Sequence, residues 1–214
     1  TGPEIGVAST KEFTAPLVDL YMLAVLLDDL RGVINHAERK RLVSDLRLVP
    51  ALVGKVLESD DFIRNIAKEF KFIRNSLYLG RGINMPIAFE GALKLKEISY
   101  VHAEGYASGE MKHGTIALID KNFPSIFIAP KDSVYEKNIS GMQEIKARGG
   151  KIIAIATEGD KEIKKMADDS DELHCFNGKS LMELNLSDTP HHGEEFVFDF
   201  IIIDTPPVAI VSDT

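Results

Sequence analysis

The chain has 214 residues, with 33 Asp plus Glu against 25 Lys plus Arg, a net charge of -8. Hydrophobic residues make up 44% and charged residues 27%, which excludes a disordered or collagen-like polypeptide and allows a sizeable core. The longest apolar run near the amino terminus, Tyr21 to Leu27, is too short to span a bilayer, and the acidic balance disfavours a general nucleic-acid binder.

A Gly-bearing loop opens the chain, and Ser9 or Thr10 can cap a first helix. Leu17, Leu20, Leu23 and Leu27 recur at steps of three and four, which predicts a helix near 10–31. Pro16 either kinks it or marks its start. A second helix is expected near 37–48, stopping around Pro50, and a third near 51–69. At about residue 75 the texture changes. SLYLG predicts a strand, followed by the turn GRG and a helix near 86–100. SIFIAP, 125–130, is a second apolar strand, and a helix near 133–148 ends at Gly149-Gly150. KIIAIAT, 151–157, is a third strand. A short helix near 160–168 leads to ELHCF, 172–176. Apolar strands alternating with helices predict an α/β fold with a parallel sheet. Ligands of such sheets bind beyond the carboxyl ends of the strands, so the turn after SLYLG is the place to look.

On the helix from Pro86, Glu90, Lys94 and Glu97 are spaced i, i+4 and i+7 and share one face. Ile87, Gly91, Leu95 and Ile98 fall on a neighbouring stripe that can meet the sheet. The plain reading of the charged row is a solvated ion-pair ladder. The chemical reading is a carboxylate base beside an ammonium group that tunes it or holds a substrate. His113, in GEMKHGT, is a loop histidine able to act as acid or base near neutral pH. His102, Glu104 and the pair His191-His192 are read as structural or exposed. The His pair has no partners at metal spacing. The single Cys175 forms no internal disulfide, and a cytoplasmic setting is expected.

The segments TGPEIGVASTKEFT, LGRGINMPIAFEGALKLKEISYVHAEGYASGEMKHGTIALID and EIKARGGKIIAIAT closely resemble the glucosamine-6-phosphate synthase family (glutamine–fructose-6-phosphate aminotransferase, isomerizing). The match is to its C-terminal isomerase part, built of two sugar-isomerase (SIS) subdomains, and covers roughly residues 1–170. The resemblance implies a flavodoxin-like SIS sheet flanked by helices and preceded by a helical segment. Residues 1–70 would be the remainder of a first SIS subdomain with its linker, and 71–190 the second. The resemblance also implies fructose 6-phosphate as substrate and an aldose–ketose step after ammonia joins the sugar carbonyl. Glu97 would carry the proton between the sugar carbons. His113 would assist ring opening from the neighbouring subunit of a homodimer. Glu90 and Lys94 match supporting active-site residues, and Val7, Ala8 and Ser9 a sugar-contacting loop. No metal or organic cofactor is implied.

Several features depart from the family. Its phosphate-binding loops lie upstream of the position of Thr1, and its glutaminase domain and terminal Lys segment have no counterpart, so the chain reads as a fragment with an incomplete site. Thr115 stands where the family has Pro. Residues 191–214 form a divergent tail. IIIDTPP in that tail resembles the Walker B strand of bacterial tyrosine kinases, with Asp204 at the Mg²⁺ position. NGKS, 177–180, lacks the preceding Gly of a P-loop because Leu173 stands there. A buried strand ended by Pro206-Pro207 is the preferred reading. A non-catalytic sugar-phosphate-binding or dimerisation module is the alternative function, and a nucleotide-binding protein is ranked below it.

Overall fold

A computed structural model describes residues 2, 3, 8, 9, 11–168 and 173–178, the last six and residues 167 and 168 by backbone only. Three helices come first: α1 (Lys11–Leu30), α2 (His36–Leu57) and α3 (Asp60–Glu69). Pro16 lies inside α1, and α2 runs through Pro50. The expected stop at Pro50 is therefore corrected. One missing N–H costs a single helical bond, and the turns on both sides are otherwise intact. The real break falls at Glu58 and Ser59, before the acidic first turn Asp60-Asp61 of α3. Carboxylates favour a helix amino end, so the new start outweighs continuation. At the start of α2, Asn35 accepts a 3.0 Å hydrogen bond from the Glu38 N–H. The α1–α2 pair is tied by Arg39 and Asp29, and by the Tyr21 hydroxyl donating to the Leu42 carbonyl at 3.4 Å.

From residue 75 the chain winds an α/β unit. The strands are β1 (Asn75–Gly80), β2 (His102–Ala107), β3 (Ser125–Ala129), β4 (Ile152–Thr157) and β5 (Leu173–Gly178). All neighbours pair in parallel in the order β2-β1-β3-β4-β5. The helices α4 (Met85–Ser99), α5 (Tyr135–Lys146) and α6 (Lys161–Asp168) connect them. The parallel sheet flanked by helices, with a helical segment before it, is the expected fold. β2 is an addition. Its sequence HAEGYA holds two Ala and a Gly where an apolar run is expected, because it is an edge strand.

The two faces of β1 show how the layers form. Leu77 and Leu79 point to one face, where Ile139, Met142 and Ile145 of α5 join them in the core with Phe127. Tyr78 alternates to the other face, where α4 lies so close that a Cβ built on Gly91 would sit 2.8 Å from the Tyr78 ring. The central strand β3 is buried at every position. Gly149, at φ 69, turns the chain out of α5, and the Gly150 N–H then donates to the Ile145 carbonyl at 3.1 Å. Among the described residues, no helix is long and apolar enough to cross a membrane.

Candidate functional site

Helix α4 carries the charged row. Its seat explains which face is free. Ala88 and Ala92 are its buried residues, while the predicted stripe of Ile87, Gly91, Leu95 and Ile98 is part-buried. A Cβ on Gly105 of β2 would lie 2.6 Å from the Phe89 Cα. A helix backbone this close to a strand leaves room for small residues only, so alanine and glycine take the contact and the larger apolar residues flank it. The turn into α4 is equally tight, since a Cβ on Gly80 would meet the Asn84 carbonyl oxygen at 2.1 Å.

On the far face Lys94 stands between two carboxylates. Its Nζ lies 3.2 Å from Glu90 Oε1 and 3.1 Å from Glu97 Oε2. The Lys94 side chain is 14% exposed, against 22% and 32% for Glu90 and Glu97. The row is thus a half-buried triad rather than a solvated ladder. Burial by itself lowers the Lys94 pKa. The hydrogen bonds from Lys94 to Glu97 and Glu90, with their charges, outweigh it and hold the pKa above that of an ordinary lysine. The ammonium therefore stays charged and holds both carboxylates in place. One of them can accept a proton while the other remains paired.

His113 ends the 3₁₀ turn Met111–His113 beyond the carboxyl end of β2. Met111 is fully buried, and Lys112 is bonded to Glu144 of α5 at 2.6 Å. His113 follows these two anchors and is exposed. The topology keeps it from Glu97 within one chain. α4 starts at the carboxyl end of β1 and returns to the amino end of β2. Glu97 lies two residues before the end of α4, so it sits near the amino ends of the strands. His113 follows the opposite ends, about one strand length away, or roughly 20 Å for six residues. Glu90, Lys94 and Glu97 are brought together; His113 is not.

The remaining sequence-predicted residues have plainer surroundings. Val7 lies outside the described residues. Ala8 and Ser9 precede α1, and the Ser9 hydroxyl donates to Glu12 at 3.0 Å, the local bond of a helix start. His102 and Glu104 lie exposed on β2. Asn177 and Gly178 close β5. Ser180, His191, His192 and Asp204 lie outside the described residues. Among the described residues, no group of three or more His, Cys, Asp or Glu is placed to hold a metal ion.

Sequence reasoning passed over a polar network at the carboxyl ends of β1, β3 and β4. Asn84 Nδ2 donates to Asp132 Oδ2 at 3.0 Å, and the Lys131 N–H donates to Thr157 Oγ1 at 2.9 Å. Asp160 is 1% exposed, and its Oδ1 accepts from the N–H groups of Glu162 and Ile163 at 2.9 and 3.0 Å. Burial first, and then the Asp160 carboxylate, push the neighbouring Tyr135 phenol pKa strongly up. The signal was present in the sequence as an Asn just before a Pro-initiated helix and an Asp in a strand-to-helix turn.

Residues 73–173 match the model of the SIS domain family. A glutamine–fructose-6-phosphate aminotransferase (isomerizing) of Thermus thermophilus is 52% identical over 168 residues, covering 78% of this chain and 28% of that protein. The enzyme of the same name from Chlorobaculum tepidum is 54% identical over 168 residues, covering 78% and 27%. The chain thus spans under a third of the length of these relatives. Among solved structures, the C-terminal domain of glucosamine-fructose-6-phosphate aminotransferase from Francisella tularensis superposes with a TM-score of 0.77 at 41% identity, covering 83% of this chain and 49% of that one. Residues 73–173 are therefore similar to the SIS domain family, and the chain is similar to glutamine–fructose-6-phosphate aminotransferases and to the C-terminal domain of one of them.

Proposed function

We propose that this chain is part of the isomerase domain of such an aminotransferase. In this reading it binds fructose 6-phosphate, or a related sugar phosphate, and catalyses the ketose–aldose step toward glucosamine 6-phosphate. The observation that carries the reading is the Lys94 ammonium bonded to two carboxylates on one half-buried helix face. After ammonia condenses at the sugar carbonyl, isomerisation takes a proton from C1 and returns one to C2. Glu97, the more exposed carboxylate, is the group for that transfer. Lys94 and Glu90 hold it in position, and Val7, Ala8 and Ser9 contact the sugar. His113 assists ring opening from a second copy of the chain in a homodimer, which suits its distance from Glu97 within one chain. The chemistry uses no metal or organic cofactor, and we place the protein in the cytoplasm. We read residues 1–70 as the helical remainder of a first SIS unit and 71–190 as the second.

The test is exchange of the fructose 6-phosphate C1 proton with solvent deuterium, followed by NMR. Loss of a positioned general base lowers such rates by about 10²–10⁴-fold. Glu97→Gln is expected to lose exchange on that scale while keeping the fold. Full exchange in that variant would remove Glu97 from the role. A second reading, a sugar-phosphate-binding or dimerisation module without turnover, is favoured by the separation of Glu97 and His113. Saturable binding with no Glu97-dependent exchange would select it.

A further inference from the structure

We propose that the hydrogen bond between Asn84 and Asp132 is the positioning contact of α4: it closes the gap between the carboxyl ends of β1 and β3 and sets where Lys94 and its carboxylates stand. This deepens the reading above and rests on it for the purpose of the triad, though not for the geometry.

Asn84 immediately precedes α4, where an Asn side chain ordinarily accepts from a first-turn N–H. Here it makes no such bond. It is 3% exposed and donates instead to Asp132, 48 residues away in the chain. Asn84 closes the 3₁₀ turn Gly82–Asn84 that runs into α4, and its backbone is already helical, so its side chain is released from capping for the lateral bond. Its place is informative. In the order β2-β1-β3-β4-β5 the chain leaves β1 and β3 toward opposite faces, and the gap between their carboxyl ends is where sheets of this kind receive ligands. The Asn84–Asp132 bond spans that gap.

The acceptor side is anchored. Asp132 Oδ1 takes the Val134 N–H at 2.9 Å. The neighbouring Lys131 N–H is bound to Thr157 at the end of β4, and its ammonium stands 4.0 Å from the buried Asp160. The donor side is anchored by the Gly80–Asn84 close approach. Between Asn84 and the triad, the backbone of Phe89 rests on Gly105. Phe89 is five residues from Asn84 and five from Lys94, about 7.5 Å each way at the helical rise. The Asn84–Asp132 bond fixes the amino end of α4 and the Phe89–Gly105 contact fixes its middle, so the two together set the line of the helix on which Lys94 stands.

The experiment is limited reductive methylation of the full chain, with Lys94 modification measured against exposed Lys96 of the same helix by mass spectrometry. Asp132→Ala is expected to raise the Lys94-to-Lys96 ratio several-fold. The exchange Asn84→Asp with Asp132→Asn reverses donor and acceptor at constant charge, and is expected to restore the ratio. General destabilisation would not be rescued in this way. An unchanged ratio in Asp132→Ala overturns the proposal, and so does an exchange variant that stays as reactive as Asp132→Ala. If Asp132→Ala does not fold, Asn84→Ala removes the donor alone and is read by the same criterion. Fructose 6-phosphate binding by the unmodified chain is measured separately. Its absence sinks the functional reading and leaves the positioning contact to be judged on the labelling ratio.

Discussion

Replacing both carboxylates by amides, as Glu90→Gln with Glu97→Gln, leaves the Lys94 ammonium without its charge partners while keeping the side-chain volumes. Two ion pairs at 3.2 and 3.1 Å are lost. Partly exposed pairs contribute about 0.2–1 kcal/mol each, so the loss of two at pH 7 is about 0.4–2 kcal/mol. With a urea m-value of about 2 kcal/mol/M the midpoint falls by about 0.2–1 M. The pH dependence is more diagnostic. In the unaltered chain the folded-state pKa of Lys94 is raised. Its stabilising contribution is therefore complete below the ordinary lysine value of about 10.4 and is lost as pH rises through the folded-state value. In the double variant burial is the surviving influence, and it lowers the pKa. The Lys94 contribution then reverses sign, so stability gains as pH rises through the lowered value. The assay is a ¹³Cε lysine titration by NMR beside urea unfolding at pH 7 and in the alkaline range. Lys94 titrating at the same pH in both proteins would refute the reasoning, because the two carboxylates would then not be setting its charge.

Two further perturbations test the frame that holds the triad. Gly105→Ala places a methyl group 2.6 Å from the Phe89 Cα, a contact that only a shift of α4 relieves. It is expected to cost about 1–3 kcal/mol, seen as a lower melting temperature, and an unchanged Tm would show that α4 is not seated as described. Phe127→Ala empties a fully buried site in the central strand. It is expected to cost about 3–5 kcal/mol in urea unfolding, and a loss below 1 kcal/mol would contradict the packing of α5 against β3.

The sequence by itself determined the elements with strong local signals. Leu77 and Leu79 in SLYLG, the run SIFIA and the run IIAIA are apolar because both faces of a parallel sheet are covered, and that pattern is visible without coordinates. Gly149-Gly150 marked the end of α5 because the backbone there requires φ 69. The i, i+4, i+7 row of Glu90, Lys94 and Glu97 was legible because helical periodicity alone fixes it. Tertiary structure decided the rest. It kept α2 continuous through Pro50 and made HAEGYA an edge strand, where pairing with β1 supplies what the composition lacks. It put Ala88 and Ala92 under α4 because helix and strand backbones approach too closely for larger side chains. It placed Glu97 and His113 at opposite ends of the sheet. It also turned Asn84 from a helix cap into a bond with Asp132. Spacing along a chain reports which residues share one face of one element. Which elements meet, and which polar groups find each other across 48 residues, depends on how the strands are ordered in the sheet, and no local pattern encodes that order.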